Sequence, residues 1–408
     1  MAQERIPNIP KPKNPGCIGA GAFFVMIFFG ATALIIVMTI MAGYIFNQNR
    51  TENLPEMQKQ LSAEFAAIKQ LKLTLDLTRG KPGTKQVELS NELDGILKGN
   101  FVSDDGTDVR NYGGIDGLPG MKQFAADFLQ VDASNIIVGG NSSLTLMYQY
   151  MFFKNLSWQK QGEVKFLCPV PGYDRHFTIC ENLNIKMINV NLAADGPDMD
   201  QVEELVKGDP SIKGIWCVPK HSNPTGTTYS DDVVNRIASL AKTAGDDFTV
   251  MWDNAYAVHD LSDNVKPLAS IWDVAAKLGT QDSIGILGST SKITFAGAGI
   301  AFLGATRNNL DNFKKYLGVL TIGPDKANQL RHLKFLKDQS SLKAHMKKHA
   351  GIIKPNFDTV LSQLEANLSG GDYGEWTVPE GGYFISFDTK PGLAKEVVKM
   401  AAEAGVKL

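Results

Sequence analysis

Ile284–Lys292 reads IGILGSTSK: an apolar run, a glycine, three hydroxyl residues and a lysine. The run is too short for a helix and stops at a turn signal, the pattern of a strand buried on both faces. The same pattern recurs at Ile136–Val138, Val164–Cys168, Lys186–Val190, Gly214–Val218, Phe248–Trp252 and Ile300–Leu303. Helical patterns such as Asp200–Lys207, Asp231–Ala244 and Leu268–Leu278 fall between many of them. This alternation predicts an α/β fold in three layers, with a mostly parallel seven-stranded sheet covered on both faces. Ligands of such sheets bind beyond the carboxyl ends of the strands. The residues just after each strand are therefore the ones to examine for chemistry.

The chain of 408 residues is 43% apolar and 21% charged, enough to bury a large core. That composition excludes a disordered chain, a collagen-like repeat and a small disulfide scaffold. A formal net charge of −2 gives no nucleic-acid surface. Cys17, Cys168, Cys180 and Cys217 form no C-x-x-C pair and no zinc spacing, so no metal is expected.

Residues 1–16 are polar and proline-rich and read as a flexible tail. No charge occurs from Asn14 to Asn49, and Ile18–Phe46 is almost wholly apolar. About 20 apolar residues span a bilayer, so residues 17–49 predict an uncleaved transmembrane helix in contact with lipid. Arg5, Lys11 and Lys13 before the run lean towards a cytoplasmic amino terminus, with the body as a single-pass membrane protein. A cytoplasmic body is the alternative if the run is foreign to the natural gene. Beyond it, Leu54, Met57, Leu61, Phe65, Ile68 and Leu71 recur at helical spacing. After about residue 310 the pattern turns helical, then closes with WTVPEGGYFISF and a last helix at Pro391–Ala404. The domain reading is 50–105 and 336–408 for a smaller α+β domain made from both chain ends, and 106–335 for the large domain.

Three strand ends carry distinctive side chains. Phe248–Trp252 runs into Asp253, Asn254, Ala255 and Tyr256, and Gly214–Val218 leads to Asn223, Pro224, Thr225 and Gly226. Alone, Asp253 is equally a helix cap, the N-P-T-G stretch a turn, and Lys292 a surface lysine. The spacing G-x-x-x-x-G-K-[ST] is absent, which disfavours a nucleotide P-loop. Together, a lysine, an aspartate and a tyrosine at neighbouring strand ends suit pyridoxal 5′-phosphate. The lysine amine forms a Schiff base. The aspartate keeps the pyridine nitrogen protonated so that the ring is an electron sink. Tyrosine and asparagine donate to the ring phenolate, and hydroxyls near a helix start hold the phosphate.

With these motifs the chain resembles the fold-type I, class I aminotransferases, closest to the aspartate aminotransferase and MocR-type aminotransferase subgroup, over roughly residues 54–408. The resemblance implies that S-T-S-K places Lys292 as the Schiff-base lysine, with Ser289 and Ser291 near the phosphate. It puts Asp253 on the pyridine nitrogen, and Tyr256 and Asn223 on the phenolate. Tyr173 of P-G-Y-D-R-H stacks on the ring, with His176 behind Asp253. Asn141, Ser142 and Ser143 of G-G-N-S-S lie at the phosphate, on a helix start. Tyr112 reaches the phosphate of a neighbouring subunit, so a homodimer is implied. Gly80 of R-G-K-P closes over the substrate, with Arg79, Lys326 and Arg331 as candidate cations for substrate carboxylates.

Two departures from the family pattern stand out. Ile300 occupies the place where the family carries a phosphate-pairing arginine, leaving the phosphate to hydroxyls, a helix dipole or Lys326. The sequence also ends at Leu408, before the segment that carries the family's substrate-carboxylate arginine. This reads as a carboxyl-terminal truncation that impairs turnover. The function expected is ping-pong transamination between an aspartate-like amino acid and a 2-oxo acid. A β-lyase or decarboxylase on the same fold is one alternative. A membrane-tethered, non-catalytic cofactor-binding remnant is the other.

Overall fold

The computed structural model describes residues 22–26, 54–78, 80–371 and 373–408. In chain order its strands are β1 (Ala22–Met26), β2 (Leu75–Asp76), β3 (Ile136–Val138), β4 (Lys165–Val170), β5 (Lys186–Ala193), β6 (Gly196–Pro197), β7 (Ile212–Cys217), β8 (Thr249–Asp253), β9 (Ile284–Ser289), β10 (Ala301–Gly304), β11 (Gly374–Trp376), β12 (Phe384–Thr389) and β13 (Val406–Lys407). The α-helices are α1 (Leu54–Gln70), α2 (Thr84–Glu88), α3 (Pro119–Leu129), α4 (Ser143–Trp158), α5 (Asp174–Asn182), α6 (Met199–Gly208), α7 (Asp231–Ser239), α8 (Ile271–Leu278), α9 (Arg307–Leu320), α10 (Lys326–Leu336), α11 (Gln339–Leu368) and α12 (Ala394–Glu403).

The central sheet has the order β3-β10-β9-β8-β7-β4-β5-β6. Strands β5, β4, β7, β8 and β9 pair in parallel, whereas β10 runs antiparallel to both β9 and β3. Side chains alternate between two cores, which explains the unbroken apolar runs. Ile215, Val250, Trp252 and Ile286 join the core that holds α3, α7 and α8, while Trp216, Met251 and Leu287 join the core of α4, α5 and α9. Phe302 is completely buried against Phe124 and Phe128, and burial of such a ring contributes roughly 1.5–3 kcal/mol. A third core joins α11, α12 and β12, and it includes Tyr256 and Val218 from the ends of the central strands.

Two expectations are corrected. The sheet has eight strands rather than seven, because β6 forms a two-residue antiparallel edge with Leu192 and Ala193 of β5. A strand that short shows no alternation, and only the Asp195-Gly196 turn signal announces it. The second correction concerns the transmembrane helix expected over residues 17–49. Ala22–Met26 is instead strand β1, antiparallel to β12 with Ala22 opposite Asp388 and Met26 opposite Phe384. A short aromatic and β-branched apolar run suits a paired strand as well as a helix, and hydropathy alone does not separate them. The run is therefore not one continuous helix. The expected lipid contact and single-pass location rest on the other residues of that run. The rest of 17–49, with the tail 1–16, lies outside the described residues. No helix among the described residues is long and apolar enough to cross a membrane.

Candidate active site

Strand register assembles the site. Asp253, the last residue of β8, pairs with Leu287 of β9, two residues before β9 ends at Ser289 and the chain turns into Lys292. Asp253 is 3% exposed, and its Oδ2 lies 3.0 Å from Nε2 of His176, also buried. A carboxylate only accepts, so His176 Nε2 carries the proton. The His176 ring stacks on Trp216 with centroids 4.1 Å apart and a 5° interplanar angle, and Tyr173 meets its edge at 5.1 Å. This locks the imidazole and aims the carboxylate. Asp253 Oδ1 is buried and meets no partner among the described residues, an arrangement that costs free energy unless a donor arrives.

Lys292 Nζ sits 4.9 Å from the centre of the Tyr256 ring. Burial lowers the Lys292 amine below the usual lysine range, and Asp253 partly opposes the shift. The amine is therefore more available as a nucleophile than a surface lysine. Burial also pushes the Tyr256 phenol well up, against a hydrogen bond from the Asn223 side chain, so it remains a hydroxyl.

A second group lies at the start of α4. Ser142 is the residue before the helix, and its side chain makes no capping bond. Its hydroxyl and the first helical N–H groups, including that of Ser143, are thus open to an anion. Asn141 Nδ2 donates to the Gly297 carbonyl at 2.9 Å, and Ser291 Oγ donates to the Asn141 carbonyl at 3.1 Å. Ser289 Oγ accepts from the Ser291 N–H at 3.4 Å. These bonds tie the α4 start to the lysine-bearing turn. On the other face of the sheet, Lys220, Trp252, Asn254 and Ile286 line a cavity of about 200 Å³ that contains none of these groups.

A lysine, a buried aspartate with a bare oxygen and a hydroxyl-rich helix start thus share one end of a mixed sheet. The sequence profile described as "Aspartate amino-transferase" matches residues 50–408. The chain belongs to the aspartate aminotransferase family. A Corynebacterium glutamicum aspartate aminotransferase is 43% identical over 378 residues, covering 90% of this chain and 87% of the relative. A Mycolicibacterium smegmatis protein with an aminotransferase name is 46% identical over 362 residues, covering 86% and 84%. The crystal structure of an aspartate transaminase from C. glutamicum superposes with a TM-score of 0.84 at 42% identity, over 88% of this chain and 86% of that one. An α-aminoadipate aminotransferase of Thermus thermophilus, complexed with N-(5′-phosphopyridoxyl)-L-leucine, shares the fold at a TM-score of 0.67 and 20% identity, over 84% and 86%. The chain is an aminotransferase. The lyase, decarboxylase and non-catalytic readings are not favoured by its relatives.

Aminotransferases of this fold type use pyridoxal phosphate, and the residues present fit it. The bare Asp253 Oδ1 matches a protonated ring nitrogen, the Lys292 amine an aldehyde, and the α4 start a phosphate.

The remaining expected residues are less convergent. Tyr112 is 84% exposed. Lys326 is buried, and its Nζ donates to the Asn111 and Gly113 carbonyls at 2.9 and 2.6 Å. Its charge is thereby spent on the loop that carries Tyr112. Arg331 is exposed on α10, Gly80 is half-buried, and Arg79 lies outside the described residues. Sequence reasoning missed Trp216, which orients His176, and His259, whose Nε2 lies 3.3 Å from the Lys292 carbonyl.

Proposed function

We propose that this aminotransferase takes an aspartate-like amino donor and a 2-oxo acid acceptor, with pyridoxal phosphate held between β8, β9 and the start of α4. The observation that carries the cofactor reading is the buried, unpartnered Asp253 Oδ1 beside the Lys292 amine. The donor class rests on relatives named for aspartate. Bound there, the cofactor supplies an electron sink for charge developing at the substrate Cα.

The chain's own residues do the rest. Asp253, held by His176, keeps a proton on the group facing Oδ1. Lys292 would hold the cofactor through its Nζ, and its free amine would take and return the substrate Cα proton as a general base and acid. Tyr256 and Asn223 present donors to a phenolate, and Tyr173 covers the ring. Asn141, Ser142, Ser143, Ser289 and Ser291 line the phosphate end, where the helix start contributes partial positive charge. Residues 106–335 form the cofactor-holding unit in this reading, with 50–105 and 336–408 as the smaller unit. The exposed Tyr112 lies by the α9 end, where Val319, Leu320 and Ile322 are exposed too. A second copy covers this face and receives Tyr112.

Borohydride reduction after incubation with pyridoxal phosphate should leave a pyridoxyl group on Lys292 by peptide mapping. Label elsewhere, or none, rejects the cofactor assignment. With aspartate and 2-oxoglutarate, the expected product is glutamate. Release of ammonia or carbon dioxide instead would reject transamination.

A further inference from the structure

Three of the chain's six histidines bond the three residues that begin with Lys292, and a fourth packs behind them against His345. They come from three different elements, and all four are buried. His259, in the turn after β8, places Nε2 3.3 Å from the Lys292 carbonyl. His345 on α11 places Nε2 2.8 Å from the Ile293 carbonyl. His349, one turn further along α11, places Nε2 3.1 Å from His345 Nε2. His332 on α10 places Nε2 2.9 Å from Thr294 Oγ1. Ile293 and Thr294 are themselves fully buried.

Hydrogen-bond accounting fixes the tautomers. Gln86 Oε1 accepts from the Gly83 N–H at 3.1 Å, so its amide nitrogen faces His349 Nδ1 at 3.3 Å and the Tyr383 hydroxyl at 3.1 Å. His349 Nδ1 therefore accepts from Gln86. A carbonyl only accepts, so His259 and His345 carry protons on Nε2. His332 Nδ1 faces the Asn328 carbonyl at 2.9 Å and must donate, which leaves Nε2 to accept from Thr294. Burial lowers each of the four rings below the usual histidine range, so all four are neutral near neutral pH.

We propose that His259, His332, His345 and His349 are positioning residues that clamp the peptide Lys292–Thr294 and thereby hold Lys292 Nζ over Tyr256. Two successive carbonyls and the next hydroxyl are fixed by rings that pack in the interior, so the lysine backbone has no freedom to turn its side chain towards solvent. The clamp also joins the lysine to α2 through Gln86 and to the β12 approach through Tyr383. The proposal rests on Lys292 being the lysine that binds the cofactor.

The test uses the cofactor-loaded full chain and follows visible absorbance against pH, which reports the protonation midpoint at Lys292 Nζ. His345→Leu and His259→Leu remove a donor, while His345→Gln and His259→Gln keep an N–H near Nε2. The Leu variants should move the midpoint upward by about one unit, a roughly tenfold change in proton affinity, as water reaches the amine. They should lower kcat more than they raise KM, and the Gln variants should recover most of both. Should the Leu variants not fold, Gln86→Met carries the test, because it removes the donor that sets the His349 tautomer without touching the lysine segment. Unchanged midpoints and kcat in folded variants overturn the clamp alone. Wild-type protein that gives no Lys292-linked absorbance overturns the lysine assignment and the clamp with it.

Discussion

Asp253 and His176 show how a single pair sets the chemistry of the site. The carboxylate has one oxygen held by a stacked imidazole and one left bare in a dry interior. Asp253→Asn keeps the shape and removes the charge. An amide can no longer hold a proton on the ring nitrogen, and turnover should fall by about 10²–10³-fold, the scale seen when one preorganised electrostatic contact is removed. Steady-state transamination measures this, and borohydride labelling of Lys292 should persist. Loss of less than tenfold would mean that the bare oxygen does not face the cofactor. Ser142→Ala is milder. Its hydroxyl is one anion donor among several, so cofactor affinity should drop roughly 3- to 10-fold, about one hydrogen bond, as read by equilibrium titration. Asp253 was legible in the sequence because it follows an apolar run at a strand end, where the topology has to expose it, whereas His176 and Ser142 came from the family resemblance alone. Trp216 was not legible, because its role is to stack on a histidine from helix α5, and apolar periodicity records burial without naming the neighbour.

The helices were harder to read at the level of function than the strands. Lys326 is the first residue of α10, after the Asp325 cap that accepts from the Asn328 N–H at 2.9 Å. A buried cation at the positive end of a helix is unfavourable unless acceptors compensate, and the Asn111 and Gly113 carbonyls do so. The sequence displayed the charge but not its direction, so Lys326 read as a phosphate or substrate cation. Similarly, His345 and His349 stand at i and i+4 on α11, a visible pairing whose meaning depends on a carbonyl from the β9–β10 connection. Strand β6 was missed for a simpler reason, being too short to show a period. The Lys326 geometry makes a prediction at the scale of the element. Lys326→Met keeps the packing stem but leaves two carbonyls without their donor, at a cost of about 1–3 kcal/mol. The 111–114 loop should lose amide protection in hydrogen exchange, and with it the fixed presentation of Tyr112. Unchanged protection there would mean that the lysine is not what holds the loop.

At the scale of the whole molecule, the buried histidines give the fold a defined response to acid. His221, His259, His332, His345 and His349 are all lowered by burial, with His259 at about 3 and His349 at about 4. In the unfolded chain each returns to about 6.5. Below that pH the unfolded chain binds protons that the folded chain does not, so stability is fully present above about pH 6.5 and falls as the pH is lowered towards the folded values. Each such histidine contributes a slope of up to about 1.4 kcal/mol per pH unit within its own window. Unfolded carboxylates take up protons only near pH 4, so the interval from 6.5 to 5 isolates the histidines. The urea midpoint should hold between pH 8 and 7, then fall steeply between 6.5 and 5. His349→Gln removes one of the rings responsible and should flatten that fall relative to wild type, even if its midpoint at pH 8 is lower. A wild-type midpoint that stays constant from pH 8 to 5 would mean that these rings are already charged or solvated in the folded protein, which is incompatible with neutral rings donating to the Lys292 and Ile293 carbonyls.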